Sequence, residues 1–354
     1  MVKYLKGVDT LRAMSALAVV WGHIELLKKR AGIENMLDNN CHFPNGHIAV
    51  IFFFVISGFL ITYLLVKERE SKGKIDLKKF YLRRIYRIWP LYYLILLLSF
   101  IIFPVYYSKL TILLCLTIFP NIAHVFGIAW PTSPQVWSIG VEEQFYLFWP
   151  IILTFLPKRK IAFYLLIFII VYTLIPFFIE CVYNKYYQKQ NIYFFKQFFY
   201  ETKFNCMAIG SLVGFLYAEK NKVLNYIKVK IVAYLSIILL SGLWFYRFKL
   251  NNFNDEFYSV LFVIVLYNIV ENPKINIDTS ITCFLGKISY GIYMYHWIIV
   301  LLALKYIPHH KNELFYNLNL YFLVFSVTIF VSWLSFISYE NYFLKIKKKY
   351  EIIT

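Results

Sequence analysis

The sequence predicts an all-α protein, a polytopic bundle of transmembrane helices with about ten crossings. Of its 354 residues, 60% are hydrophobic and 21% are aromatic, and the mean hydropathy is +0.59. Several apolar runs approach the ~20 residues that a helix needs to cross a bilayer. A soluble domain of this length could not bury so much apolar surface, so the soluble classes are excluded.

The formal net charge of +18 does not indicate nucleic-acid binding, because most of it lies in short loops beside apolar runs. Loops rich in Lys and Arg stay in the cytoplasm and thereby set topology. The basic stretches at 67–87, 158–160, 220–230 and 345–349 then predict that both termini are cytoplasmic. The five cysteines are scattered without metal-ligand spacing, so no metal site is expected.

The apolar runs give the helices in order. The first is expected at about 8–27, the second at about 47–66, and a third at about 88–104. Later helices are expected at about 138–156, 161–180, 203–218, 231–247, 256–270, 286–304 and 317–338. The transmembrane domain is thus predicted to cover 1–345, followed by a basic cytoplasmic tail at 346–354.

The region 109–136 is apolar but is interrupted by Pro120, Pro131 and Pro134. It is either a full crossing or a re-entrant segment. A crossing would put the basic cluster at 158–160 and most later basic loops outside. The charge distribution therefore favours the re-entrant alternative.

The first helix carries Asp9, Arg12 and His23 among apolar residues. Arg12 and His23 are eleven residues apart, close to three helical turns, so they share one face. An ionisable side chain at the bilayer centre costs roughly 2.5–3.5 kcal/mol on insertion scales. A helix that served only as an anchor would gain nothing from such a stripe, which we interpret as the wall of a polar site.

Two further segments carry charge at a helix end. Arg84 and Arg87 are three residues apart, and paired guanidinium groups suit bidentate recognition of phosphate. They could equally be interfacial arginines that anchor a helix.

Glu142 and Glu143 open an apolar helix with Ser138 as its candidate N-cap. At least one of the two acids is expected to point into the bundle.

A late segment, GKISYGIYMYHWIIV, places His296 well inside an apolar helix. A lone intramembrane histidine is more often a satisfied packing residue than a catalyst, and both interpretations stay open here.

Together these segments resemble the acyltransferase family 3 integral membrane acyltransferases, over nearly the whole chain. The matching motifs are Asp9 and Arg12 followed by His23; Phe53 to Thr62, with Ser57; Arg83, Arg84, Arg87 and Pro90; Trp137, Ser138, Glu142, Phe145 and Tyr146; and Gly286, Ser289, Tyr290, Tyr293 and His296. The late Tyr339 and Glu340 match only loosely. Lys203 and Asn205 stand where the family usually has Arg and Asp. The lost charges are expected either to shift the acceptor preference or to remove one ion pair.

The resemblance implies an enzyme that moves an acetyl or other short acyl group from acyl-CoA to a hydroxyl group. The donor that it implies first is acetyl-CoA. The implied acceptor is an extracytoplasmic glycan or lipid-linked sugar, such as lipopolysaccharide, capsule, exopolysaccharide or peptidoglycan. The implied location is the bacterial inner (plasma) membrane. Acyl-CoA would arrive from the cytoplasm and the acceptor from the other side.

For this chemistry His23 is the best base candidate, since imidazole titrates near physiological pH. Arg12 would orient the donor or stabilise developing negative charge. Glu142 would fix the His23 tautomer or pair with Arg12, and Arg84 and Arg87 would bind the coenzyme A phosphates. Further site candidates are Asp9, Ser57, Trp137, Ser138, Tyr146, Tyr290 and His296. Because Arg12 and His23 are roughly 16 Å apart along the helix axis, they are expected to mark two depths of one acyl tunnel.

Two other classes compete with the enzyme. In a transporter or flippase of a lipid-linked glycan, the intramembrane His, Arg and Glu would bind substrate or relay protons. Such proteins often show paired repeats with broken helices, and the polar motifs here concentrate in the first 150 residues without such pairing. A membrane anchor or sensor would leave the polar stripe unexplained.

Overall fold

The computed structural model describes residues 5–35, 44–186, 191–272, 275–308 and 312–351, and this part of the chain contains helices and turns but no β-strand. Its α-helices are α1 (Val8–Arg30), α2 (Gly46–Lys72), α3 (Leu77–Ile102), α4 (Lys109–Leu116), α5 (Pro120–Val125), α6 (Trp137–Phe155), α7 (Ile161–Tyr186), α8 (Asn191–Glu201), α9 (Phe204–Ala218), α10 (Lys230–Phe245), α11 (Asn254–Glu271), α12 (Ser280–Lys287), α13 (Ser289–Tyr306), α14 (Glu313–Ser335) and α15 (Asn341–Lys348). The all-α prediction is confirmed for these residues. Helix α8 was not expected from the sequence.

Among the described residues, five helical segments are long and apolar enough to cross a membrane: α2, α3, α7, α11 and the continuous α14–α15 segment. Helices α12 and α13 make a sixth if they form one span bent by 69°. The predicted ten crossings are therefore not confirmed. Helices α9 and α10 have only 15 and 16 residues, about 24 Å or less against a hydrocarbon core of ~30 Å. Helices α1 and α6 carry charged side chains among their apolar ones.

The region 109–136 forms two short helices and a 3-10 turn instead of one long helix. Helices α4 and α5 have 8 and 6 residues, roughly 12 and 9 Å, so neither can cross a bilayer. Between them Ile118 adopts a left-handed conformation with φ 64°, which turns the chain sharply. Helix α5 is held against α6 by Asn121 and Gln144, whose amides exchange two buried hydrogen bonds of 3.1 and 2.7 Å. Within the described region 109–136, therefore, no helix is long enough to cross the membrane.

Helix α2 is at the centre of the bundle and packs against α1, α6, α9 and α11. Its contact with α9 requires glycine on both sides. A Cβ on Gly58 would stand 1.9 Å from the carbonyl oxygen of Met207, and one on Gly210 would stand 2.1 Å from that of Val55. The two backbones are therefore in direct contact, which fixes the position of the neighbouring Ser57.

Helix α1 packs against α12 and α13. At its start, the Gly7 amide and the Thr10 hydroxyl donate hydrogen bonds of 2.9 and 2.7 Å to the Asp278 carboxylate. Gly286 of α12 is so close that a Cβ there would stand 2.2 Å from the Asp9 carbonyl oxygen. These contacts set the height of α1 in the bundle, and hence the positions of Arg12 and His23.

The turn between α2 and α3 is closed by a buried carboxylate. Glu68 accepts a hydrogen bond from the Asp76 amide at 2.8 Å and pairs with Arg83 at 3.1 Å. Arg83 also donates to the Tyr350 carbonyl at 3.0 Å, and α15 packs against α3. Arg83 therefore stabilises the fold, whereas Arg84 and Arg87 face the interior of the bundle.

Candidate active site

A central cavity of about 150 Å³ lies among α1, α2, α3, α6 and α13. Apolar residues of α2 form one side of it, including Phe53, Phe54 and Leu60. The polar residues that line it are Arg12, Ser57, Arg84, Arg87, Ser138, Glu142, Tyr146, Ser289, Tyr290 and Tyr293. Residues of all five motifs, which are far apart in the sequence, therefore line one cavity.

Three guanidinium groups enter this cavity from two helices. Arg12 comes from α1, and Arg84 and Arg87 come from successive turns of α3. Arg84 is held between the rings of Phe80 and Tyr146, with its guanidinium carbon 5.6 and 5.4 Å from the two centroids. Its Nε is buried without a hydrogen-bond partner in the described structure. Arg12 and Arg87 are near enough to repel each other electrostatically. A cavity with this excess of positive charge suits an anionic ligand.

Glu142 is the carboxylate that lines the cavity among the described residues. It accepts a hydrogen bond of 3.0 Å from Ser57 on α2 and one of 3.1 Å from Tyr146, one turn further along α6. Arg12 and Arg84 lie within electrostatic range of it. In the described structure Glu142 makes no hydrogen bond to His23, so of the two roles predicted for it the geometry favours the one beside Arg12.

His23 lies outside the cavity lining and pairs with His296. The distance from His23 Nδ1 to His296 Nε2 is 2.7 Å, and the two rings are nearly parallel with centroids 5.0 Å apart. Trp297 packs edge-on against the His23 ring at 4.8 Å. His296 is fully buried, whereas His23 is partly accessible. The sequence predicted both histidines as candidates but gave no reason to join them.

Tyr293 connects the cavity to the histidine pair. Its hydroxyl lies 2.6 Å from the Ser138 hydroxyl, and its backbone carbonyl is 2.6 Å from His296 Nδ1. The rings of Tyr293 and His296 are 5.8 Å apart. Arg12 is therefore at the cavity, and His23, three turns later on α1, lies just beyond the Tyr293 wall. The two side chains are thus about three helical turns apart, as their spacing on α1 requires.

The comparison with known proteins decides the family. Residues 5–337 match the family described as "Acyltransferase domain", acyltransferase family 3. The chain belongs to this family. The predicted resemblance is thereby confirmed over almost the whole chain.

Two kinds of relative of this chain occur in Staphylococcus aureus. A protein of strain COL named "Putative O-acetyltransferase SACOL0978" is 26% identical over 375 aligned residues, covering 97% of this chain and 58% of the relative. The protein named "O-acetyltransferase OatA" of strain NCTC 8325 is 26% identical over 333 residues, covering 86% of this chain and 52% of the relative. The chain thus spans little more than half the length of these curated relatives. No solved structure matches it.

The remaining candidate site residues lie around the cavity in different ways. Tyr290 lines it and donates a hydrogen bond of 2.8 Å to the Ile88 carbonyl on α3. Trp137 stacks on His124 at 5.4 Å, behind the lining. Asp9 is at the start of α1 against Gly286 and does not line the cavity. Within the described residues no group of three or more His, Cys, Asp or Glu could hold a metal ion.

The departure from the family pattern at Lys203 does not remove an ion pair, contrary to one of the two expectations. Lys203 Nζ lies 2.5 Å from Asp255 Oδ2, and both side chains are buried. Asp255 also bonds His47 at 3.1 Å. Asn205 donates a hydrogen bond of 2.5 Å to Glu256, so it also has an acidic partner. Lys203 thus keeps the positive charge of the Arg that is usual in the family, and Asp255 of α11 neutralises it.

Sequence reasoning missed two features of the site. Tyr293 and Ser289 were recognised only as parts of a motif, although both line the cavity. The position of Tyr293, one helical turn before His296, was the signal for its role. A buried cluster follows His23 on α1, where Glu25 pairs with Lys28 at 3.2 Å and accepts a hydrogen bond from Tyr321. Nothing in the sequence near Tyr321 indicated this contact.

Proposed function

We propose that this acyltransferase moves an acetyl or other short acyl group from acyl-CoA to a hydroxyl of an extracytoplasmic glycan or glycolipid. The observation that carries the proposal is the cavity in which Arg12, Arg84 and Arg87 converge, with His23 three turns beyond Arg12 on the same helix. Acyl transfer from a CoA thioester needs a binding site for the anionic donor and a base that activates the acceptor hydroxyl. Family membership and the names of the relatives support it.

The donor half of the proposal rests on the three arginines. Coenzyme A carries phosphates, and planar guanidinium groups bind phosphate oxygens bidentately. Arg84 and Arg87 belong to the basic segment at 67–87, for which the charge distribution predicts the cytoplasmic side. The phosphates would bind to Arg84 and Arg87, and the pantetheine arm would extend past Arg12 towards His23.

The chemical step uses His23 as base. The acceptor hydroxyl gives its proton to His23 Nε2 while its oxygen forms a bond to the thioester carbonyl carbon. Arg12, roughly 16 Å from His23 along α1, orients the donor instead of contacting the reacting carbonyl group. Glu142 accepts hydrogen bonds from the hydroxyls of Ser57 and Tyr146 and lies within electrostatic range of Arg12. The carbon–sulfur bond then breaks, and the thiolate of coenzyme A takes the proton back from His23.

The proposed setting is a bacterial inner (plasma) membrane with both termini in the cytoplasm. Acetyl-CoA is the proposed donor, and lipopolysaccharide, capsule, exopolysaccharide, peptidoglycan and lipid-linked sugars are the acceptor classes. A transporter of unmodified glycan is not favoured, because the chain belongs to an acyltransferase family.

The test is His23→Ala in cells that depend on this protein for glycan acetylation. We expect ester-linked acetate to disappear from the surface glycans, measured by mass spectrometry, while the amount of protein in the membrane stays unchanged. His47→Ala is the matched control, since His47 is half-exposed and bonds Asp255 away from the cavity. Full acetylation in the His23→Ala strain would contradict the proposal. Glycan export without acetyl-CoA consumption by the purified protein would favour the transporter.

A further inference from the structure

The His23–His296 contact determines where the protons are on both rings. His296 Nδ1 lies 2.6 Å from the Tyr293 carbonyl oxygen, which can only accept a hydrogen bond. Nδ1 of His296 must therefore carry a proton. In the neutral ring Nε2 then has the lone pair, and it accepts the proton of His23 Nδ1 across 2.7 Å.

This chain of donors leaves one nitrogen free. With Nδ1 of His23 protonated, its Nε2 holds the lone pair of the neutral imidazole. His23 Nε2 has no protein hydrogen-bond partner in the described structure, and the His23 side chain is partly accessible while His296 is fully buried. The basic nitrogen is thus the one that a substrate can reach.

We propose that His296 is a positioning residue for His23: it selects the His23 tautomer whose Nε2 is the base, and it fixes the plane of that ring. The proposal rests on the function proposed above and adds a residue to it. When His23 takes a proton from the acceptor hydroxyl, its Nδ1–H donates more strongly to His296, which stabilises the imidazolium without receiving the proton. The Tyr293 carbonyl plays the same part for His296.

This arrangement follows the general pattern in which a base is oriented by a third group that bonds its other nitrogen. Here the third group is a neutral imidazole instead of a carboxylate. A carboxylate at the buried position of His296 would be costly, because a buried charge without a partner loses its hydration. An imidazole that is itself bonded to a backbone carbonyl supplies the acceptor without a formal charge.

A packing role for His296 makes different predictions, and three variants separate the two. His296→Leu removes the acceptor while roughly preserving the volume. His296→Gln puts an amide oxygen near the position of Nε2 and can still accept from His23 Nδ1. Tyr295→Phe is the matched control: it removes a buried hydrogen bond of 3.0 Å to Ser335 from the same helix, on a side chain that does not contact His23.

The measurement is the initial rate of O-acetylation of surface glycans, divided by the amount of folded protein in the membrane. We expect His296→Leu to lower this rate about 100-fold, the lower end of what a positioned base contributes. The rate of His296→Gln should be at least tenfold higher than that of His296→Leu. The rate of Tyr295→Phe should stay within twofold of the wild-type rate. Equal rates in the Leu and Gln variants, or a Leu variant within threefold of the wild type, would overturn the proposal.

A second measurement does not depend on any His296 variant folding. Nitrogen-15 NMR of the wild-type protein with labelled histidine, assigned by the signals lost in His23→Ala, reports the tautomer of His23 directly. A protonated Nδ1 and an unprotonated Nε2 support the inference, and the opposite tautomer refutes it. If the wild-type protein acetylates no glycan, the proposed function is wrong. If His23→Ala abolishes acetylation and His296→Leu does not change it, the proposed function stands and the role of His296 is refuted.

Discussion

Ser57 donates a hydrogen bond of 3.0 Å to Glu142, joining the central helix α2 to α6 across the cavity. The carboxylate accepts from Tyr146 with its other oxygen, so both oxygens are oriented. A carboxylate fixed in this way can hold a neighbouring guanidinium at a defined position, here that of Arg12 or Arg84.

The first prediction concerns this carboxylate. Glu142→Gln removes the negative charge and turns one acceptor into a donor that opposes the hydroxyl of Ser57 or Tyr146. We expect acetyl transfer to fall at least about tenfold, because a displaced Arg12 no longer orients the donor. Glu143→Gln is the matched control. Glu143 bonds Trp89 at 2.6 Å and does not line the cavity, so its loss should change the rate less than threefold. Equal losses in the two variants would remove the special role of Glu142.

The second prediction concerns donor binding. Arg84→Lys keeps the charge but loses the planar fork, so acetyl-CoA affinity should fall about tenfold, an effect of roughly 1.4 kcal/mol. Isothermal titration of acetyl-CoA into the purified protein measures this directly. Arg159→Lys is the control, because Arg159 is an exposed residue of the short turn before α7. Unchanged affinity in Arg84→Lys would argue against binding of coenzyme A phosphates at this position.

The third prediction concerns helix packing. In Gly58→Ala the new Cβ would stand 1.9 Å from the Met207 carbonyl oxygen, so α2 and α9 must separate. Overpacking of this kind costs about 1–3 kcal/mol, and we expect a lower thermal midpoint. Gly242→Ala on α10 is the matched control, since no atom lies within 4 Å of the new methyl group. That change should be neutral or stabilise by up to about 1 kcal/mol. Equal midpoints for the two variants would contradict the packing argument.

The fourth prediction concerns the buried pair Lys203–Asp255. Lys203→Met leaves the Asp255 carboxylate with His47 as its ionisable partner, and breaking a buried ion pair costs about 3–5 kcal/mol. We therefore expect a large loss of the free energy of unfolding. Lys203→Arg, which restores the residue usual in the family, should stay within about 1 kcal/mol of the wild type. Denaturant or thermal unfolding in detergent compares the three proteins, and a stable Lys203→Met protein would show that the pair is dispensable.

How much of the structure the sequence could predict depends on the feature. The first two helices were placed well, because apolar runs and polar breaks follow directly from which segments must avoid water. The number of crossings is not confirmed, because helices such as α1 carry charged residues, among them Arg12 and Glu25, and so lack the composition of an ordinary membrane span. Nor was α8 expected, and the two helices at 109–125 were expected only as a broken region.

For the site, the sequence by itself determined the chemical groups: Arg12, His23, Arg84, Arg87, Glu142 and His296 were all recognised from residue type and spacing. The spacing within one helix also fixed the separation of Arg12 and His23, since helix geometry is local. Contacts between helices were decided only by the tertiary structure. The sequence alone could not show that Glu142 bonds Ser57 rather than His23, or that His296 bonds His23. Such pairings depend on the height and rotation of each helix in the bundle. Close backbone contacts set these, among them that of Gly286 with Asp9, and no local pattern records them.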